Sequence, residues 1–212
     1  MGRIIVMGIP GFLQEIGVSI MIVLVNNVIN KIGAASSTSL LAIFGILNRM
    51  LLFIITPLIG IAQGYMPIAG YNFGAGNVDR MKSAFSKAAI SSFVITLFLV
   101  AFTWFFPERI LSIFTTDTAI IAAGIVPLRL MFSALPFVSI LVIITFYFMG
   151  IGKPAPAIFI SLSRQLLFFV PILLILSAKL GIFGIWLTFP IADVLAIILA
   201  TVLYLTSWRK LI

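Results

Sequence analysis

The chain has 212 residues, of which 63% are hydrophobic and only 8% charged, with a formal net charge of +8 and a mean hydropathy of +1.32. A soluble domain is about a quarter charged, so this composition cannot clothe a water-facing surface and reads as an all-α membrane protein. With no Cys or His, disulfides, thiolate or imidazole metal ligation and His-based triads are excluded, and basic residues scattered at the ends of apolar segments exclude a nucleic-acid face.

Six apolar segments follow, each long enough to cross a bilayer as a helix of about 20 residues: roughly 4–30, 39–65, 83–106, 119–149, 155–179 and 183–207. The whole chain, 1–212, is expected to form a single six-helix transmembrane lobe, with no internal repeat and no separate soluble domain. The first segment carries Glu15. At 100° per residue, Gly8, Gly11, Ser19, Ile22 and Asn26 share its face. About 1.5 Å per residue from position 4 places Glu15 near mid-membrane, where an ionisable group is costly and points to function. Glu15, Ser19 and Asn26 are therefore the candidate cation- or substrate-binding residues, with a structural carboxylate as the plain alternative.

The second segment contains Arg49 and runs into AQGYMPIAGYNFGAG at 62–76, a run of four glycines with a proline. This run is expected to break the helix. Gly60 and Gly64, and Gly70 and Gly74, are spaced for close helix packing, Pro67 bends or ends the helix, and Gln63 and Asn72 are placed to satisfy freed backbone groups. The glycines do not form a nucleotide fingerprint, because Asp79 stands where the third glycine belongs and no strand precedes them.

The third segment has basic residues at its start, and the fourth carries Arg129. In the fifth, Arg164 and Gln165 lie about 13 Å from the cytoplasmic face and are candidates for an inner gate. In the sixth, Asp193 lies roughly 15 Å from the outer end, and a structural ion pair with Arg129 or Arg49 is the expectation. Arg3, Arg80, Lys82, Lys87, Lys153, Arg209 and Lys210 fall on one side and only Lys31, Arg109 and Lys179 on the other, so both termini are expected in the cytoplasm, with Trp208 as an interfacial anchor.

PLIGIAQGYMPIAGYNFGAGNVDR at 57–80 resembles a loop motif of the multidrug and toxic compound extrusion (MATE) transporters, and FMGIGKPAPA at 148–157, LSRQLLFFVPILLIL at 162–176 and GIWLTFPIADVL at 184–195 continue the resemblance. The similarity is to the bacterial multidrug exporter subgroup and to the C-terminal lobe of its twelve-helix, two-lobe fold. It implies a multi-pass protein of the cytoplasmic membrane that exports amphipathic cations by H⁺ or Na⁺ antiport, through alternating access against a second six-helix lobe. No cofactor and no enzymatic role are expected. The resemblance also implies that Glu15 serves cation coupling or substrate binding, although residues 119–149 lack the second acid found in some sodium-coupled relatives. Other readings are a lipid-linked oligosaccharide flippase of the related fold, and a non-transporting fragment or scaffold.

Overall fold

The computed structural model describes the backbone of residues 2–209 and the side chains of 11–34 and 36–207. Gly8, Arg3, Trp208, Arg209 and Lys210 thus lie outside the described side chains. The chain is helical almost throughout. Helix α1 (Gly2–Gly33) passes through a single 3₁₀ turn into α2 (Ser37–Gly74), and α3 (Val78–Phe105) returns. A short α4 (Pro107–Leu111) caps that end. Helices α5 (Thr118–Phe132) and α6 (Leu135–Gly150) form one bent pass, and α7 (Pro154–Leu162) continues through a π-helical stretch, Ser163–Phe169, into α8 (Val170–Arg209). At Gly181, φ is +59°. This left-handed conformation suits glycine, and α8 doubles back there, with Gly184 lying against the backbone of Leu176. Six passes result.

Four helical stretches are long and apolar enough to cross a membrane, or five with the α5–α6 pair counted once; the last of them, Pro154–Ser207, contains the Gly181 turn. Large apolar side chains line the outside: Phe53, Phe98 and Phe105 are each more than two-thirds exposed. In water such a surface would drive association; in lipid it is the solvated face.

Two cores stack along the bundle. One gathers Phe44, Leu47, Phe132, Phe169, Trp186 and Phe189. The other gathers Tyr65, Met81, Tyr147, Phe148 and two alanines of α8, Ala196 and Ala200, with the rings of Phe85 and Tyr204 stacked 4.3 Å apart beside it.

The glycine run departs from the expected break. Helix α2 continues through Pro57 and Pro67 to Gly74, because backbone leaving a helix within an apolar layer loses its hydrogen bonds. The turn lies just beyond. Gly76 has φ of +71°, the Asn77 N–H donates to the Asn72 carbonyl at 2.9 Å and the Gly76 N–H to Phe73 at 3.2 Å, which is a Schellman ending. Helix α6 ends the same way: Gly152 has φ of +72°, Lys153 N–H donates to Phe148 at 2.9 Å and Gly152 N–H to Met149 at 3.1 Å.

These two ends cross. A Cβ on Gly70 would stand 2.7 Å from the Gly150 carbonyl oxygen, and one on Gly150 2.6 Å from that of Met66, whereas Gly60, Gly64 and Gly74 have nothing within 4 Å. Close packing therefore uses Gly70 with Gly150, not the i, i+4 pairs. Asn72 is buried and its Nδ2 donates to the Ile68 carbonyl at 2.8 Å, while Gln63 is exposed on another face.

The fourth pass is also not the straight helix expected. Its halves meet at 42°, at Ser133 and Ala134, and Pro136 opens α6.

Candidate functional site

A cavity of about 310 Å³ opens on the side of the bundle where α1, α2, α6 and the 154–169 helix meet. One wall is mostly apolar, with Ile55 and Ile59 of α2, followed on the same face by Gln63, and Val138, Leu141 and Val142 of α6; the other carries Gln14, Glu15, Ser161, Arg164 and Gln165. A narrow polar face on an apolar enclosure is the usual make-up of a small-molecule site.

Helix α1 contributes Gln14 and Glu15. Glu15 is exposed to the opening, so its carboxylate can be reached from the cavity without crossing packed side chains. Gln14 Oε1 accepts from the Ser161 hydroxyl at 3.5 Å, a long bond that ties α1 to α7. Gly17, on the same helix, lies directly against the Gln165 side chain; any Cβ there would displace the amide.

The π-helical stretch supplies Arg164 and Gln165. Its hydrogen bonds close at i→i+5, so the wider turn spreads successive side chains less than an α-helix does, and both neighbours reach the cavity wall. Arg164 Nε donates to Asp193 Oδ1 at 2.7 Å, with 25% of the arginine side chain exposed and 6% of the aspartate. Asp193 sits behind the wall on the return limb of α8, buried. Gln165 is buried, and its Oε1 has no hydrogen-bond partner among the described residues, an arrangement that calls for a ligand or water donor.

Glu15, Gln63, Arg164 and Gln165 thus come together. Ser19 and Asn26 do not join them: Ser19 Oγ donates back to the Glu15 carbonyl at 2.9 Å, and Asn26 is half-buried farther along α1. The partner of Asp193 is Arg164, neither Arg129 nor Arg49. Arg129 is exposed on α5 and its Nη2 donates to the Trp104 carbonyl at 3.3 Å; Arg49 is exposed on α2. Gly64, Pro67, Gly70, Asn72 and Gly74 lie beyond the cavity toward the α2 terminus. Gln14 and Thr145 line the site without having been singled out. Gln14 was legible as the first of two consecutive polar residues in an apolar run. Thr145 gave no such signal: its Oγ1 donates to the Leu141 carbonyl at 2.9 Å, as a helical threonine in any apolar setting does. No group of three acidic residues that could hold a metal occurs among the described residues.

The sequence matches the MatE family over residues 10–175. It is 26% identical over 200 residues to the multidrug export protein MepA of Staphylococcus aureus (strain NCTC 8325 / PS 47), covering 94% of this chain and 43% of MepA. Among solved structures, an inward-facing multidrug resistance MATE family transporter of the MOP superfamily superimposes with a TM-score of 0.88 at 24% identity, over 96% of this chain and 47% of that one. An outward-facing conformation of such a transporter gives 0.88 at 24% identity, over 96% and 46%. The chain spans somewhat less than half the length of each of these proteins.

Proposed function

Because the chain belongs to the MatE family, we propose that it acts as the C-terminal lobe of a secondary multidrug exporter, exchanging H⁺ or Na⁺ for amphipathic, cationic compounds. The observation that carries this reading is the cavity, which places the Glu15 carboxylate beside an apolar wall large enough for part of a flat hydrophobic cation. The carboxylate holds the coupling ion or the cationic drug, and each weakens binding of the other by the same factor. Gln14, Gln63 and Gln165 orient whichever is bound.

Transport then follows from alternating access, with two lobes rocking about a central site. The equal fit of this chain to inward- and outward-facing relatives supports a lobe that moves as one body. The cation on the cavity wall, Arg164, is already bonded to Asp193, which disfavours a substrate carrying a pyrophosphate. The exposed Arg80, Lys82, Lys87 and Lys153 at one end of the bundle support a cytoplasmic location for that end and for both termini, in the cytoplasmic membrane.

Binding of a hydrophobic cationic dye such as ethidium to the chain in lipid nanodiscs tests the site. Dye affinity should fall as pH falls or Na⁺ rises, and Glu15→Gln should weaken binding about tenfold and remove the ion dependence. An unchanged affinity with the same ion dependence would remove Glu15 from the mechanism.

A further inference from the structure

A second opening, of about 480 Å³, lies on the far side of the bundle between α3 and the bent α5–α6 pass. Its origin is the 42° bend: α6 packs along α3, while α5 leans away and leaves a furrow. The furrow is walled by Phe93, Leu97, Ala101 and Trp104, which recur on one face of α3, and by Pro136 and Phe137 of α6. Leu97 is 48% exposed and Phe137 51%, so the furrow opens outward from the bundle, toward the acyl chains of a membrane.

One end carries the single charge of the lining, Arg129. Its guanidinium bonds the Trp104 carbonyl, which belongs to the last turn of α3 and has no helical donor of its own. No carboxylate lies within ion-pairing distance of Arg129 among the described residues. Helix α3 ends at Phe105, and Pro107, Glu108 and Arg109 follow, so this end of the furrow is at the membrane interface, where tryptophan concentrates. An arginine at such a level with an unmatched charge needs an anion, and an apolar slot running inward from it fits a hydrocarbon chain.

We propose that this furrow is a binding site for one anionic phospholipid, its phosphate on Arg129 and one acyl chain along Leu97, Phe93 and Phe137. The charge chooses the occupant: a zwitterionic lipid carries its own cation beside the phosphate and gains less from the guanidinium. The inference is independent of the transport reading, because neither Glu15 nor its cavity takes part.

Trp104 lines the furrow and serves as the reporter. The chain is reconstituted in phosphatidylcholine vesicles, and its tryptophan fluorescence is followed as phosphatidylglycerol or phosphatidylcholine with brominated acyl chains is titrated in; Trp104→Phe identifies the Trp104 component. Brominated phosphatidylglycerol should quench Trp104 at about a tenfold lower mole fraction, the preference that a charge-assisted phosphate contact gives. Arg129→Gln should abolish the preference and Arg129→Lys should keep most of it. Ala101→Phe, which leaves the charge and fills the slot with a ring, should also abolish it, and it tests the site even where Arg129→Gln does not fold. Equal quenching by the two lipids in the unaltered chain would overturn the proposal, as would a preference that survives Ala101→Phe, since that would mean surface attraction rather than a bound lipid. Loss of quenching by both lipids, with Trp104 covered by protein, would assign the furrow to another polypeptide and overturn it as well.

Discussion

The Arg164–Asp193 pair responds asymmetrically to loss of either partner. Asp193 is 6% exposed at its side chain and Arg164 25%. Arg164→Gln leaves a carboxylate enclosed by α8 and the π-helical stretch without its counter-charge, and breaking a buried pair in this way costs about 3 kcal/mol. Asp193→Asn leaves a guanidinium that already borders the cavity and can turn its head to water along its apolar stem, so a cost nearer 1 kcal/mol is expected after allowing for that solvation. The double variant Arg164→Gln/Asp193→Asn orphans no charge and should recover about 2 kcal/mol relative to Arg164→Gln. For a domain of this size, about 3 kcal/mol corresponds to a fall in melting temperature of roughly 6–12 °C. Thermal unfolding of the four proteins in one detergent, followed by tryptophan fluorescence, reads the ordering directly. Equal losses for the two single variants, or a double variant that loses their sum, would refute the reasoning.

The α2–α6 crossing gives a contrast among glycines that look alike in sequence. Gly70→Ala and Gly150→Ala should each destabilise by about 1–3 kcal/mol, because the new methyl meets backbone oxygen, while Gly64→Ala should be neutral or stabilising by up to about 1 kcal/mol; melting temperatures decide. Gly76→Ala should lose about 1 kcal/mol from strain at its positive φ, with little change in dye binding. A Cys introduced at Asn77 should react with an impermeant maleimide only in inverted vesicles, and one at Thr116 from outside intact cells; the swapped pattern would invert the topology.

The spans were legible because a bilayer demands long apolar helices, and their number follows from counting them. The end of α2 was not, because Gly and Pro weigh against helix in water, whereas lipid favours keeping every backbone hydrogen bond inside the helix. The true stop is a pattern rather than a composition: Tyr71-x-x-Gly74-x-Gly76 and Tyr147-x-x-Gly150-x-Gly152 repeat one another, and both endings place the second glycine at positive φ. The partner of Asp193 was within reach of simple counting. A depth of about 13 Å from the inner face for Arg164 and about 15 Å from the outer for Asp193 meet at one level in a core of ~30 Å. What counting could not supply was azimuth, since the π-helical stretch rotates Arg164 and Gln165 away from their α-helical directions. Arg129 failed as a partner for the same kind of reason: the bend at Ser133 and Ala134, invisible in hydropathy, carries it outward to Trp104.

In the proposed exchange, coupling ion and drug exclude each other at the Glu15 carboxylate. The most direct measurement of this exclusion is uptake of a fluorescent hydrophobic cation into proteoliposomes holding this lobe together with a partner lobe, driven by an imposed H⁺ or Na⁺ gradient and normalised to folded protein. Gradient-driven uptake that Glu15→Gln abolishes and Glu15→Asp partly retains, with the melting temperature unchanged, is expected. Full gradient-driven uptake by the Glu15→Gln protein, with the same pH and sodium dependence, would contradict that exclusion.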